Sequence, residues 1–268
     1  MNTVPTIDYI MEDPREAARL EAKVDPQGWV QKYLAHRVRP GAKVLSVGCG
    51  PGVILREVSE LHPSVHATGM DISADRVREA IQRNRENPRL NFVRGDAQAM
   101  QLPSSSFDLV YSRMLLQYLR EKEKAVAEMV RVCKPGGVVL LQDLDGQLLW
   151  HYPEDTSVQR AVEKVLAALA PTGFDPFVGR KLFWLAQKAG LKKVDAQIES
   201  YHLIAGAIEK HILKQWELKL DIAKSQMAKV LGSKAEAEEQ IQRFLEYLCR
   251  PDTLTYSVQF TVSGEKAG

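Results

Sequence analysis

The chain has 268 residues, 45% hydrophobic and 26% charged, which excludes a disordered chain and provides for a sizeable core. Its 36 Lys and Arg face 34 Asp and Glu, spread evenly along the chain, so no segment stands out as a nucleic-acid surface. No apolar run nears the roughly 20 residues of a membrane span and the N-terminus lacks a signal pattern, so a cytoplasmic protein with neither nucleic-acid nor membrane partner is expected.

In chain order, a polar helical stretch is predicted over Asp13–Lys23, then a helix after Asp25-Pro26 with Trp29, Val30, Tyr33 and Leu34 on one face. Lys43–Val47 reads as a strand ending in Gly48-Cys49-Gly50-Pro51-Gly52, and Ile54, Leu55, Val58 and Leu61 follow at helical spacing. Val65–Met70 is a second strand, Ser73 caps the helix after it, and Leu90–Val93 and Phe107–Tyr111 are the third and fourth strands. A helix through Ala125, Met129 and Val132 runs into the breaker Lys134-Pro135-Gly136-Gly137, and Val138–Gln142 is a fifth strand ending at Asp143. Strands alternating with helices predict an α/β fold with a doubly wound, mostly parallel sheet. Helices follow over 158–170 and 178–189, a strand within Leu191–Leu203, helices over 207–231 and 234–249, and a last strand at Leu254–Val262. Cys49, Cys133 and Cys249 are odd in number and form no CxxC pair, so neither a disulfide framework nor a metal site is expected.

Ligands of such sheets bind outside the carboxyl ends of the strands, where strand order reverses. The glycine loop follows the first strand, and glycines let a ligand approach bare backbone. Asp71, 19 residues beyond Gly52, ends strand two, where a carboxylate can accept from both ribose hydroxyls. Asp96, at the end of strand three, can accept from an exocyclic amine such as that of adenine. The dinucleotide fingerprint needs its third glycine where Val53 stands, which disfavours a nicotinamide enzyme.

VLSVGCGPG, GMDIS, RGDAQAMQLPSSSFDLVYS and RVCKPGG, in this order between Lys43 and Asp143, resemble the motifs of class I S-adenosylmethionine-dependent methyltransferases of the small-molecule, UbiE-like type. The resemblance implies a Rossmann-like seven-stranded sheet with the last strand antiparallel. It also implies S-adenosylmethionine as cofactor, S-adenosylhomocysteine as product, and in-line methyl transfer to an O, N or C acceptor on a small molecule. It would place Gly48, Cys49, Gly50 and Gly52 at the methionine part, Asp71 on the ribose, Ile72, Asp96 and Ala97 at the adenine, and Ser112, Arg113 and Gln117 beside cofactor and acceptor. The family usually carries an acid where Ser46 stands, which helps hold the ammonium group. Its loss leaves weaker binding, transfer of the role to another group, or a degenerate member as readings. EAARLEAK (Glu16–Lys23), QDLDG and TGFDPFVGRKL resemble a subgroup whose N-terminal helix closes over the cofactor. On this basis residues 1–268 form one domain, with cap helices at 1–35 and a cofactor core at 36–146. A helical substrate cap with strand six spans 147–250, inserted before the last strand at 251–268.

Asp143 and Asp145, expected at the end of strand five, are candidate catalytic groups, and His151 is a candidate base. Each carries a plainer reading: a loop hydrogen bond for the carboxylates, a solvated side chain for the histidine. Arg113 is read as pairing with Asp143 or Asp145, or with an acidic substrate, and Arg180 with Asp175. Trp29, Trp150, Phe174, Phe177 and Trp184 read as mostly core, with Trp150 a candidate pocket wall. Transfer to RNA or protein, and a non-catalytic cofactor-binding regulator, are the alternative functions.

Overall fold

The computed structural model describes Arg15 and residues 24–268, the side chains of 147–149 excepted. The helix expected over Asp13–Lys23 lies, apart from Arg15, outside the described residues. The first described helix, α1 (Pro26–Tyr33), starts where Asp25 accepts from the Gly28 amide at 3.0 Å and proline occupies the first turn.

From there strands and helices alternate: β1 (Lys43–Val47), α2 (Val53–Leu61), β2 (His66–Asp71), α3 (Ala74–Arg83), β3 (Leu90–Arg94), β4 (Phe107–Arg113), a 3-10 turn (Leu116–Tyr118), α4 (Lys122–Val132) and β5 (Cys133–Tyr152). The chain continues through α5 (Thr156–Leu169), α6 (Leu182–Lys188), β6 (Lys192–Ala205), α7 (Lys210–Leu231), α8 (Lys234–Leu248) and β7 (Leu254–Glu265). The described strands form one seven-stranded sheet in the order β3-β2-β1-β4-β5-β7-β6. β1 to β5 pair in parallel, and β7 runs antiparallel between β5 and β6. Strand order reverses between β1 and β4, which opens a crevice above their carboxyl ends.

Because alternate strand residues point to opposite faces, the short apolar runs bury on both sides. Val44, Leu109, Tyr111 and Leu140 pack with α1, α2 and α3 through Trp29, Leu34, Leu55, Val58 and Val77. Leu45, Val47, Val110 and Leu141 pack on the other face with Val126, Met129, Leu182 and Leu185 of α4 and α6.

The structure corrects the end of strand five. β5 does not stop at Asp143 but runs to Tyr152, paired with β7 through Asp145↔Val258 and, past a register irregularity, Trp150↔Tyr256, His151↔Thr255 and Tyr152↔Leu254. Residues 147–152, expected at the start of a helical region, are therefore sheet. β5, β7 and β6 extend together beyond the core, and α5, α7 and α8 cover one face of the extension. Its apolar cluster comprises Val158, Ile204, Ile208, Trp216, Phe244, Tyr247 and Leu248. Trp184, read as core, is 53% exposed on α6, with the Lys188 ammonium over its ring. Among the described residues no helix is long and apolar enough to cross a membrane.

Candidate functional site

The Gly48–Gly52 loop caps β1 at the crevice. Gly48 and Cys49 donate their amides to the Met70 carbonyl at 2.7 and 3.0 Å, which ties the loop to β2. Two of its glycines serve different ends. Gly50 has a φ of +53°, and a Cβ there would meet no atom within 4 Å, so the loop faces open space. Gly52 has a φ of +80°, and a Cβ there would come within 2.7 Å of the Phe92 ring. It is required by packing. The Cys49 thiol is pushed well up by burial and by the neighbouring Asp71 charge, so it stays a small neutral side chain.

Asp71 sits beside this loop. Its Oδ2 accepts from the Gly50 amide at 2.9 Å and its Oδ1 from the Ser73 amide at 3.0 Å. A carboxylate offers about four acceptor positions, so room remains for two hydroxyls. Burial raises its pKa above the usual carboxylate value, opposed by these amides and by Arg76. Ile72 follows, its carbonyl accepting from Arg94 Nε at 3.0 Å. Asp96 Oδ1 accepts from the amide and side chain of Gln98 at 2.8 and 3.2 Å, with buried Ala97 between them.

The tip of β4 completes the crevice. Ser112 Oγ, Arg113 Nε and Gln117 Oε1 are buried without a hydrogen-bond partner among the described residues. Buried polar atoms are nearly always bonded, and leaving one unmet costs about 1–3 kcal/mol, so such a group marks a place where a ligand supplies the missing partners. Behind it, Trp29 donates to Gln142 Oε1 at 2.7 Å, and the Gln142 amide donates to Thr261 at 2.7 Å. Ser46 is buried in register with Tyr111, whose phenol burial holds well above its ordinary pKa.

The carboxylates expected as catalytic groups at a strand end lie instead within β5, and both have partners. Asp143 is fully buried, accepting from the amides of Gln117 at 3.2 Å and Leu144 at 3.0 Å, so it holds the turn after β4. Asp145 accepts from the Arg180 amide at 2.9 Å and from its guanidinium at 2.5–3.0 Å. Arg180 was expected on Asp175, but that carboxylate binds Lys181 at 2.6 Å. Arg113 bonds to neither Asp143 nor Asp145. His151, expected as a base in the crevice, packs in the sheet extension between Phe244 and Tyr247, with Nδ1 2.9 Å from Thr255 Oγ1. These changes share a cause. Once β5 continues, its side chains alternate between sheet faces instead of gathering at an open end.

Trp150 stacks with Phe177 at 6.1 Å and Tyr118 with Phe174 at 5.6 Å, two aromatic pairs on segments that follow or face the crevice strands. The Trp29–Gln142–Thr261 chain and the Asp145–Arg180 pair were not found from sequence, because nothing local links residues 113, 119 or 35 positions apart.

Residues 44–137 match the family model described as a methyltransferase domain. These residues form a methyltransferase domain. The methyltransferase domain takes in β1 to β4, the glycine loop, Asp71, Asp96 and the tip of β4. The chain is 39% identical over 113 residues to sterol 24-C-methyltransferase ERG6B of Gibberella zeae, covering 40% of this chain and 30% of that protein. It is 33% identical over 145 residues to phosphatidylethanolamine N-methyltransferase of Cereibacter sphaeroides, covering 53% and 66%. The chain thus spans less than two thirds of these curated relatives. The crystal structure of the YcgJ protein of Bacillus subtilis superposes with a TM-score of 0.62 at 19% identity, covering 91% of this chain and 99% of that one. That likeness extends the shared fold beyond the methyltransferase domain match to nearly the whole chain.

Proposed function

We propose that the protein transfers the methyl group of S-adenosylmethionine to a small-molecule acceptor. The observation that carries this reading is the open glycine cradle bonded to Asp71, with the polar tip of β4, partnerless among the described residues, across the crevice. The residues fit the group. In the loop Gly48–Gly52, which includes Cys49, Gly50 leaves bare backbone open to its amino-acid part while Gly48 and Gly52 let the loop pack closely, and Asp71 keeps acceptor positions for two ribose hydroxyls. Asp96 and Ala97, with Ile72, flank the adenine end. Ser112, Arg113 and Gln117 stand where the sulfur end and the acceptor meet.

When bound, S-adenosylmethionine supplies a methyl group on a positively charged sulfur, displaced in line by the acceptor with S-adenosylhomocysteine left behind. The protein's part is to hold both molecules aligned and to exclude water. Asp143 contributes by fixing the turn that carries Gln117. The relatives' names specify a carbon acceptor in one and a nitrogen acceptor in the other, so the domain is compatible with more than one acceptor chemistry. The even charge distribution favours a small molecule over RNA as acceptor.

Calorimetric titration with S-adenosylmethionine tests the reading. The wild type should bind, and Asp71→Ala should weaken binding by about 1.5–3 kcal/mol, because two hydroxyls lose a charged acceptor. Unchanged affinity in a folded variant would remove Asp71 from the site. No binding by the wild type would overturn the reading.

A further inference from the structure

Arg113 is the last residue of β4, partly buried at the crevice. Its Nε is buried without a partner, and no hydrogen bond or ion pair to its guanidinium forms among the described residues. The acceptor side chains of the neighbouring strand β5 are committed elsewhere. Asp143 holds the turn amides, Asp145 is clamped by Arg180, and Gln142, in register with Arg113 on β5, bonds to Trp29 and Thr261. Across the sheet face, Tyr111 stands opposite Ser46 of β1, a neutral pair. A guanidinium is always charged and presents donors in a planar fork that matches an oxyanion. Keeping one part-buried and unpaired costs desolvation that a bound anion returns.

We propose that Arg113 is the oxyanion anchor of the crevice, taking a carboxylate or similar oxyanion of a bound small molecule. This rests on the crevice being the ligand site of the proposed function. Two sources present the required chemistry: the amino-acid carboxylate of the cofactor, or an anionic group on the acceptor.

The test compares wild type, Arg113→Gln and Arg113→Lys. Since Arg113 has no hydrogen-bond or ion-pair partner to lose among the described residues, Arg113→Gln should fold with a melting temperature no lower than that of the wild type. Calorimetry with S-adenosylmethionine and with its decarboxylated analogue isolates the cofactor's carboxylate. Titration of malonate and of inorganic phosphate, into free and into S-adenosylhomocysteine-loaded protein, reports an anion site for the acceptor. If the cofactor is the source, Arg113→Gln lowers affinity for S-adenosylmethionine about tenfold or more and leaves the decarboxylated analogue unaffected. If the acceptor is the source, cofactor affinity holds, while the loaded wild type binds malonate or phosphate and Arg113→Gln does not. In either case Arg113→Lys retains part of the effect. The proposal is overturned if Arg113→Gln matches the wild type with every probe. Should the wild type bind no S-adenosylmethionine, the proposed function fails, and Arg113-dependent anion binding by the free protein still decides for or against the anchor.

Discussion

Gly50 and Gly52 are two residues apart and answer to different constraints. Gly50→Val would place its side chain in open space, at a left-handed backbone angle that costs a branched residue about 1–2 kcal/mol. The variant should stay folded, with a modestly lower melting temperature, and lose S-adenosylmethionine binding. Gly52→Val adds a collision with the Phe92 ring and should lose more stability. Thermal melts paired with calorimetry separate the two, and a Gly50→Val protein that binds normally would refute the cradle. Both glycines and Asp71 were legible in the sequence, because a loop between a strand and a helix is specified by neighbouring residues. The pairing of Asp145 with Arg180 was not, because a side chain's charge says nothing about which distant partner will face it.

Among the elements, β5 departs furthest from expectation, and Asp143 shows the consequence. A carboxylate at a strand end would be hydrated; within a 20-residue strand it is buried, and desolvation pushes its pKa up to about 7. The amides of Leu144, Gln117, Leu116 and Leu115 oppose the shift without cancelling it. With the folded value above the reference of 3.8, the native state holds this proton more tightly than the unfolded chain. Its stabilising contribution is fully present below about pH 4 and is lost as the pH rises to about 7. Asp143→Asn removes the titration, so its stability should fall less steeply between pH 5 and pH 7 than that of the wild type. Urea denaturation across that range measures both slopes, and equal slopes would show that the carboxyl is not sequestered. The sequence stopped β5 early because Asp143, Asp145 and Gly146 resemble a loop. Pairing with β7, more than a hundred residues later, carries the strand through them.

For the whole molecule, the same three strands build the crevice end of the core and the extension above it. β5, β7 and β6 each run as one continuous strand through both levels, so one cooperative unfolding transition is expected. Trp29 reports on the core and Trp216 on the cluster under α7 and α8. Single-tryptophan variants keeping one or the other should unfold at the same denaturant concentration; separated midpoints would show two independent units.

The strand-helix alternation, the glycine loop and the carboxylates at the ends of β2 and β3 were readable in the amino-acid sequence, because each is encoded within a few residues: apolar period, turn chemistry, the residues where a strand ends. The extent of β5, the service of Asp143 and Asp145 to the protein's own backbone and to Arg180, the packing of His151 among aromatic rings, and the lack of a partner for Arg113 among the described residues emerge only in the folded chain. Those outcomes depend on sheet register and on which faces the helices cover. Both are set by burial across the whole chain, where a shift of one residue reverses the direction of every side chain on a strand.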